Sequence, residues 1–156
     1  MGKEIERKFL IDQQKWDALN KPAGKVFRQG YLVSTPEKTV RVRTTAGNAW
    51  LTIKGISVGA SRLEYEYEIP LEEATELLDH FAESELAKTR YLIDHAGKTW
   101  EVDVFAGDNA GLVVAEIELN SEDESFELPD WIGLEVTEDQ RYYNSNLTQH
   151  PYKSWR

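Results

Sequence analysis

The chain has 156 residues, 28 acidic against 18 basic, a formal net charge of −10, five tryptophans, seven tyrosines and no cysteine. That length suits one domain over residues 1–156 with its own core, and the missing cysteine excludes disulfides, a thiolate nucleophile and cysteine-bound zinc, leaving oxygen or histidine as metal ligands. The acidic balance excludes general nucleic-acid binding, which draws on a surplus of Lys and Arg, and the lack of a basic-then-apolar leader or a membrane-length apolar run predicts a cytoplasmic protein without membrane attachment.

Apolar and polar residues alternate with period two through most of the chain, and side chains two apart on a strand share a face. In chain order this predicts a strand at residues 3–11, a short helix at 13–20, and strands at 26–35, 39–45, 49–56 and 62–69. A helix follows at 71–83, where Leu71, Ala74, Leu77, Leu78 and Phe81 form one apolar stripe and Pro70 suits the first turn. Further strands are predicted at 87–95, 99–105 and 113–120, and a last helical stretch at 138–147 ahead of Pro151. Ala46-Gly47-Asn48, Ala96-Gly97-Lys98 and Ala106-Gly107-Asp108-Asn109 separate neighbouring strands with residues that tolerate positive φ, so the strands should run antiparallel. The fold class is mainly β (α+β) with a few helices, either a sandwich or a barrel.

Charge keeps to one face of these strands. Glu4, Glu6 and Lys8 are in phase, as are Arg41 with Arg43, Glu64 with Glu66 and Glu68, Lys88 with Arg90, Glu101 with Asp103, and Glu116 with Glu118; Lys54 is in phase with Trp50 and Thr52. An antiparallel sheet with one wet face reads the same way. Basic residues and carboxylates are segregated onto different strands, however, which suits an enclosed site with one wall for phosphate and another for cations, because ordinary surfaces mix signs. Both readings stay open from the alternation alone. His80, His95 and His150 lack ligand spacing and are assigned no site.

Glu4-Ile5-Glu6-Arg7-Lys8 fits an ExExK pattern, followed in order by Arg41-Val42-Arg43, Thr52-Ile53-Lys54-Gly55, Arg62-Leu63-Glu64-Tyr65-Glu66, Lys88-Thr89-Arg90-Tyr91, Glu101-Val102-Asp103 and Glu116-Ile117-Glu118. Together these resemble the motif series of the CYTH, or triphosphate tunnel metalloenzyme, superfamily across most of the chain. Gly133-Leu134-Glu135-Val136-Thr137 with Arg141-Tyr142-Tyr143-Asn144 is similar to the close of its small bacterial, tripolyphosphatase-like members. The resemblance implies a closed antiparallel β-barrel built from the eight predicted strands, with a charged interior and helices packed outside. It also implies that Lys8, Arg41, Arg43, Lys54, Lys88 and Arg90 grip a small-molecule triphosphate, and that Glu4, Glu6, Glu64, Glu66, Asp103, Glu116 and Glu118 hold Mg2+ or Mn2+. Tyr31 matches a position proposed to take a proton, although a tyrosine packed in the barrel wall reads equally well.

The activity so implied is hydrolysis of tripolyphosphate or a related triphosphate by in-line attack of water on a terminal phosphorus. Rival readings are a class IV adenylyl cyclase or thiamine triphosphatase of the same superfamily, a non-catalytic polyphosphate-binding module, and a β-sandwich with a solvated charged face. A nucleoside would need a base pocket that no motif marks, and a binding module could dispense with some of the carboxylates, all of which are present. Glu68 and Glu101 fit no motif and are expected in surface or structural roles. Glu116→Ala is expected to abolish hydrolysis without unfolding, with a gain in stability if the carboxylates repel one another. Monomer and homodimer are both left open.

Overall fold

The computed structural model describes residues 2–155. Its elements are β1 (Lys3–Ile11), α1 (Gln13–Ala18), β2 (Lys25–Ser34), β3 (Lys38–Thr45), β4 (Asn48–Gly55), β5 (Ser61–Ile69), α2 (Leu71–His80), β6 (Ser84–His95), β7 (Lys98–Phe105), β8 (Val113–Glu118), β9 (Ile132–Glu135) and α3 (Asn144–Gln149). The nine strands form one sheet in the order β5-β4-β3-β2-β6-β7-β8-β1-β9, and β5 also pairs antiparallel with β1, which closes the first eight into a barrel.

Each predicted strand is present to within a few residues, and the hairpin turns fall where glycine permits them. The β6–β7 turn places Ala96 at φ 49° and Gly97 at φ 80°; the glycine takes this left-handed region freely, while the alanine is held there by ladders on both sides. β9 escaped the sequence reading because its four residues, Ile132–Glu135, are too few to establish a period. It joins β1 at Phe9 and Ile11, beyond the Lys3–Ile5 stretch taken by β5.

Asp12 caps α1 by accepting a hydrogen bond from the Lys15 amide. α2 lies across β2, β3 and β4 and buries Ala74 and Leu78 against Val42 and Ala49. Two members of its expected apolar stripe do not join: Leu71 and Phe81 are 41% and 65% exposed, and they stand at the helix's two ends, Leu71 as its first residue and Phe81 just past its last. The helix expected at 138–147 is broken into a 3-10 turn, Gln140–Tyr142, and α3. Among the described residues no helix is long and apolar enough to cross a membrane.

The barrel inverts the usual arrangement of a sheet. Its outward residues form an apolar core with α1 and the segment before β9, in which Trp100 packs edge-on to Phe9 at 5.6 Å and to Trp131 at 6.0 Å. Its inward columns change character along their length: Glu4, Glu6 and Lys8 continue into Leu10, Lys88 and Arg90 are preceded by Leu86, Glu101 and Asp103 lead to Phe105, and Glu116 and Glu118 follow Val114. Those apolar ends gather with Val136, Tyr142 and Leu147 into a second core that fills one end of the barrel interior. Charged side chains occupy the rest.

Candidate active site

The charged part of the interior encloses a cavity of about 170 Å³. Lys8, Arg41, Arg43, Lys54, Lys88 and Arg90 all line it, as do Tyr31 and the carboxylates Glu4, Glu6, Glu64, Glu66, Glu116 and Glu118. Closure of the barrel brings these residues together from strands far apart in sequence; for example, it sets Glu4 opposite Arg62 and Glu6 opposite Glu118.

Cations and carboxylates pair with one another around the interior and are not sorted onto separate walls. On β3, Arg41 and Arg43 each reach one oxygen of Glu66 at 3.5 Å, and Arg41 also donates to Thr52 at 3.2 Å. The Nε atoms of both arginines are buried without a hydrogen-bond partner among the described residues. Arg43 lies between Phe27 and Trp50, with its guanidinium carbon 5.0 Å and 5.6 Å from their ring centres. Burial, then the neighbouring Arg41 and Arg90, pull its pKa down to about 10. Here two guanidiniums share a single oxygen of one carboxylate, Glu66.

On the neighbouring strand β4, Lys54 donates to both oxygens of Glu4 at 3.1 Å and lies 3.4 Å from Glu64. Lys8 donates to Glu6 at 2.7 Å and to Glu116. Burial opposes the charge of Lys8, but Glu116 and Glu6 outweigh it and lift the ammonium above its ordinary value. Burial, then Glu4 and Glu6, push the Glu118 carboxyl up, so like charge is crowded there.

Asp103 departs from the expected metal-ligand set. It is 1% exposed and does not line the cavity; Arg90 clamps both its oxygens at 2.7 and 2.9 Å and Lys88 adds a third contact at 2.8 Å. Both oxygens are therefore committed to cations, and the carboxylate fixes the two basic side chains. Burial alone would raise Asp103, but Lys88 and Arg90 bring it below its ordinary value.

Burial pulls Lys88 down to about 7, with Asp103 opposing and Arg90 assisting. Between that value and the ordinary 10.5, the unfolded chain binds a proton that the folded chain has released, so stability should rise with pH across this window. Urea melts from neutral pH to about pH 10 should show the rise, and Lys88→Met should flatten it.

Several lining residues were missed. Glu101, set aside in the sequence, lines the cavity and accepts from Arg90 at 3.1 Å; its phase with Asp103 was the available signal. Asn144 accepts from Lys88 at 2.8 Å and from Gln29 at 3.1 Å, and Tyr143 lies beneath Lys8 and Arg62. Neither carries a periodic signal, since both arrive from the irregular tail. Glu68 is exposed and accepts from Asn48 at 3.2 Å, and His95 pairs with Glu127 outside the cavity.

Fold and site together define a closed antiparallel barrel protein whose interior is lined by paired cations and carboxylates around a cavity. The sequence model of the CYTH domain matches residues 2–152. The chain belongs to the CYTH domain family. It is 52% identical over 157 aligned residues to an inorganic triphosphatase of Acetivibrio thermocellus, covering 100% of this chain and 99% of that one. An inorganic triphosphatase of Nitrosomonas europaea is 39% identical, covering 92% and 95%. A crystal structure of an inorganic triphosphatase superposes with a TM-score of 0.64 at 34% identity over 93% of each chain. The fold alone is shared with a putative adenylate cyclase from Bacillus halodurans, with a TM-score of 0.63 at 19% identity over 79% of this chain and 84% of that one.

Proposed function

We propose that this chain hydrolyses inorganic tripolyphosphate, with water attacking a terminal phosphorus in line with the leaving pyrophosphate and releasing one phosphate. The observation that carries the reading is the pair Arg41 and Arg43, whose buried Nε atoms lack partners while their side chains line an open cavity. A buried donor left short of an acceptor is costly, and phosphate oxygens match the planar guanidinium fork. The two curated relatives, both inorganic triphosphatases, support the same substrate.

In this reading Arg41 and Arg43 take one end of the polyanion, and Lys8, Lys54, Lys88 and Arg90 the remaining oxygens. Asp103 positions Lys88 and Arg90 instead of binding metal. Tyr31 Oη, which accepts from Gln29 at 3.2 Å, is set to take a hydrogen bond from the attacking water.

Glu4, Glu6, Glu64, Glu66, Glu116 and Glu118 would hold Mg2+ or Mn2+. They form an all-oxygen set suited to a hard cation, and the crowding of Glu118 by Glu4 and Glu6 gives that group surplus charge to neutralise. Among the described residues no three Asp, Glu or His side chains are gathered at ligating distance. Lys8 and Lys54 hold several of these carboxylates, so ligation has to draw them from the lysines. When bound, such an ion neutralises phosphate charge and makes water more acidic.

The test is phosphate release from tripolyphosphate, ATP and thiamine triphosphate, each with Mg2+, Mn2+ or EDTA. Tripolyphosphate should be cleaved fastest and EDTA should stop the reaction. Faster turnover of either organic triphosphate would transfer the assignment to that substrate.

A further inference from the structure

An inverted barrel needs its outside covered, and this one is covered unevenly. α2 protects the outward side chains of β3 and the first half of β4, while α1 and the segment before β9 protect β1, β7 and β8. On β5 and the second half of β4 the outward residues are still large and apolar, but Ile53, Leu63, Tyr65 and Tyr67 are 39%, 57%, 46% and 56% exposed. They are contiguous: Ile53 lies opposite Tyr65 and Leu51 opposite Tyr67 in the β4–β5 ladder. A sheet face left to water ordinarily alternates to polar residues, and the inward Glu64, Glu66 and Glu68 show that β5 does alternate, with its apolar side outward.

We propose that this face is the interface of a two-fold homodimer. At roughly 100 Å² apiece these side chains offer on the order of 400 Å², most of the apolar area in a dimer that buries about 800 Å² per partner. The charges around the patch decide the occupant. At its Leu63 end the neighbours are Lys3, opposite Leu63, and Lys38, opposite Gly55; at its Tyr67 end the chain runs through Ile69 and Pro70 into Glu72 and Glu73. All four charged residues are exposed. A two-fold axis through Tyr65 exchanges the two ends, setting Leu63 of one copy against Tyr67 of the other and the lysine end against the glutamate end. The patch is thus self-complementary in shape and charge, as a closed two-fold interface requires. A lipid surface is disfavoured, because binding there draws on a basic polar rim and this chain has a net charge of −10.

Light scattering after size exclusion, at micromolar chain concentration, should give twice the 17.9 kDa chain mass. Tyr65→Lys and Leu63→Glu, each checked for native circular dichroism, should give the monomer mass with tripolyphosphate hydrolysis per chain unchanged. Lys3→Glu should weaken the dimer, and Lys3→Glu combined with Glu72→Lys should restore it. A monomeric wild type would overturn the proposal. So would a dimer indifferent to both apolar-face variants, or a monomer that sediments with phosphatidylcholine vesicles.

Discussion

Arg41→Ala should lower kcat/KM for tripolyphosphate by about 10²–10³-fold, the usual loss when one preorganised charge-stabilising donor is removed from a water-poor site. Arg41 is 8% exposed, keeps a free Nε and is placed by its bond to Thr52, so little reorganisation is needed before it meets a phosphate oxygen. Arg41→Lys separates charge from geometry. It keeps a cation but loses the fork, and should recover only part of the loss. Steady-state kinetics at saturating metal would decide. Activity within about threefold of wild type for Arg41→Ala would leave the guanidinium as a wall-packing group and remove the main support for the proposed phosphate site.

Glu116→Ala should abolish metal-dependent hydrolysis and also destabilise the chain, which reverses the stability gain anticipated from carboxylate repulsion. Glu116 is 6% exposed and serves two cations: it accepts from Lys8 and lies 3.4 Å from Arg90. Removing one partner of a buried ion pair leaves the other short of compensation, at a cost of roughly 3 kcal/mol, or a fall in Tm of about 6–12 °C. Lys8 retains Glu6 and Arg90 retains Asp103, so the protein should still fold. Calorimetry without metal would test the sign, and a Tm above wild type would restore the repulsion argument.

The strands and the in-phase charges were legible because a period of two survives in a single sequence. The side of the sheet on which those charges lie was not. Burial of the charged face follows from the pairing of β1 with β5, a contact between residues such as Lys3 and Leu63 that local alternation does not encode. The motif resemblance supplied that information, and the residues it named, Asp103 apart, line the cavity. It did not convey the place of Asp103 between Lys88 and Arg90, which depends on the register of β6 against β7. The tail was least legible for a physical reason. Tyr142 and Leu147 are buried by their fit into an already closed barrel, which imposes no repeat on the sequence.

The pairing of β1 with β8, which sets Glu6 opposite Glu118, also bears on how the molecule comes into being. On the ribosome β1 emerges before the other strands, with Glu4, Glu6 and Lys8 in water, and it must wait for β8 before its ladder through Glu6–Phe9 can form. The apolar end of the interior then stays unfilled until Leu147 has been made. Such non-local closure makes for slow folding, and hydrophobic strands such as β7 and β8 remain uncovered in the nascent chain meanwhile. Closure is also what brings together interior pairs such as Lys8 with Glu116 and Lys54 with Glu4, so these charges leave water as they meet their partners.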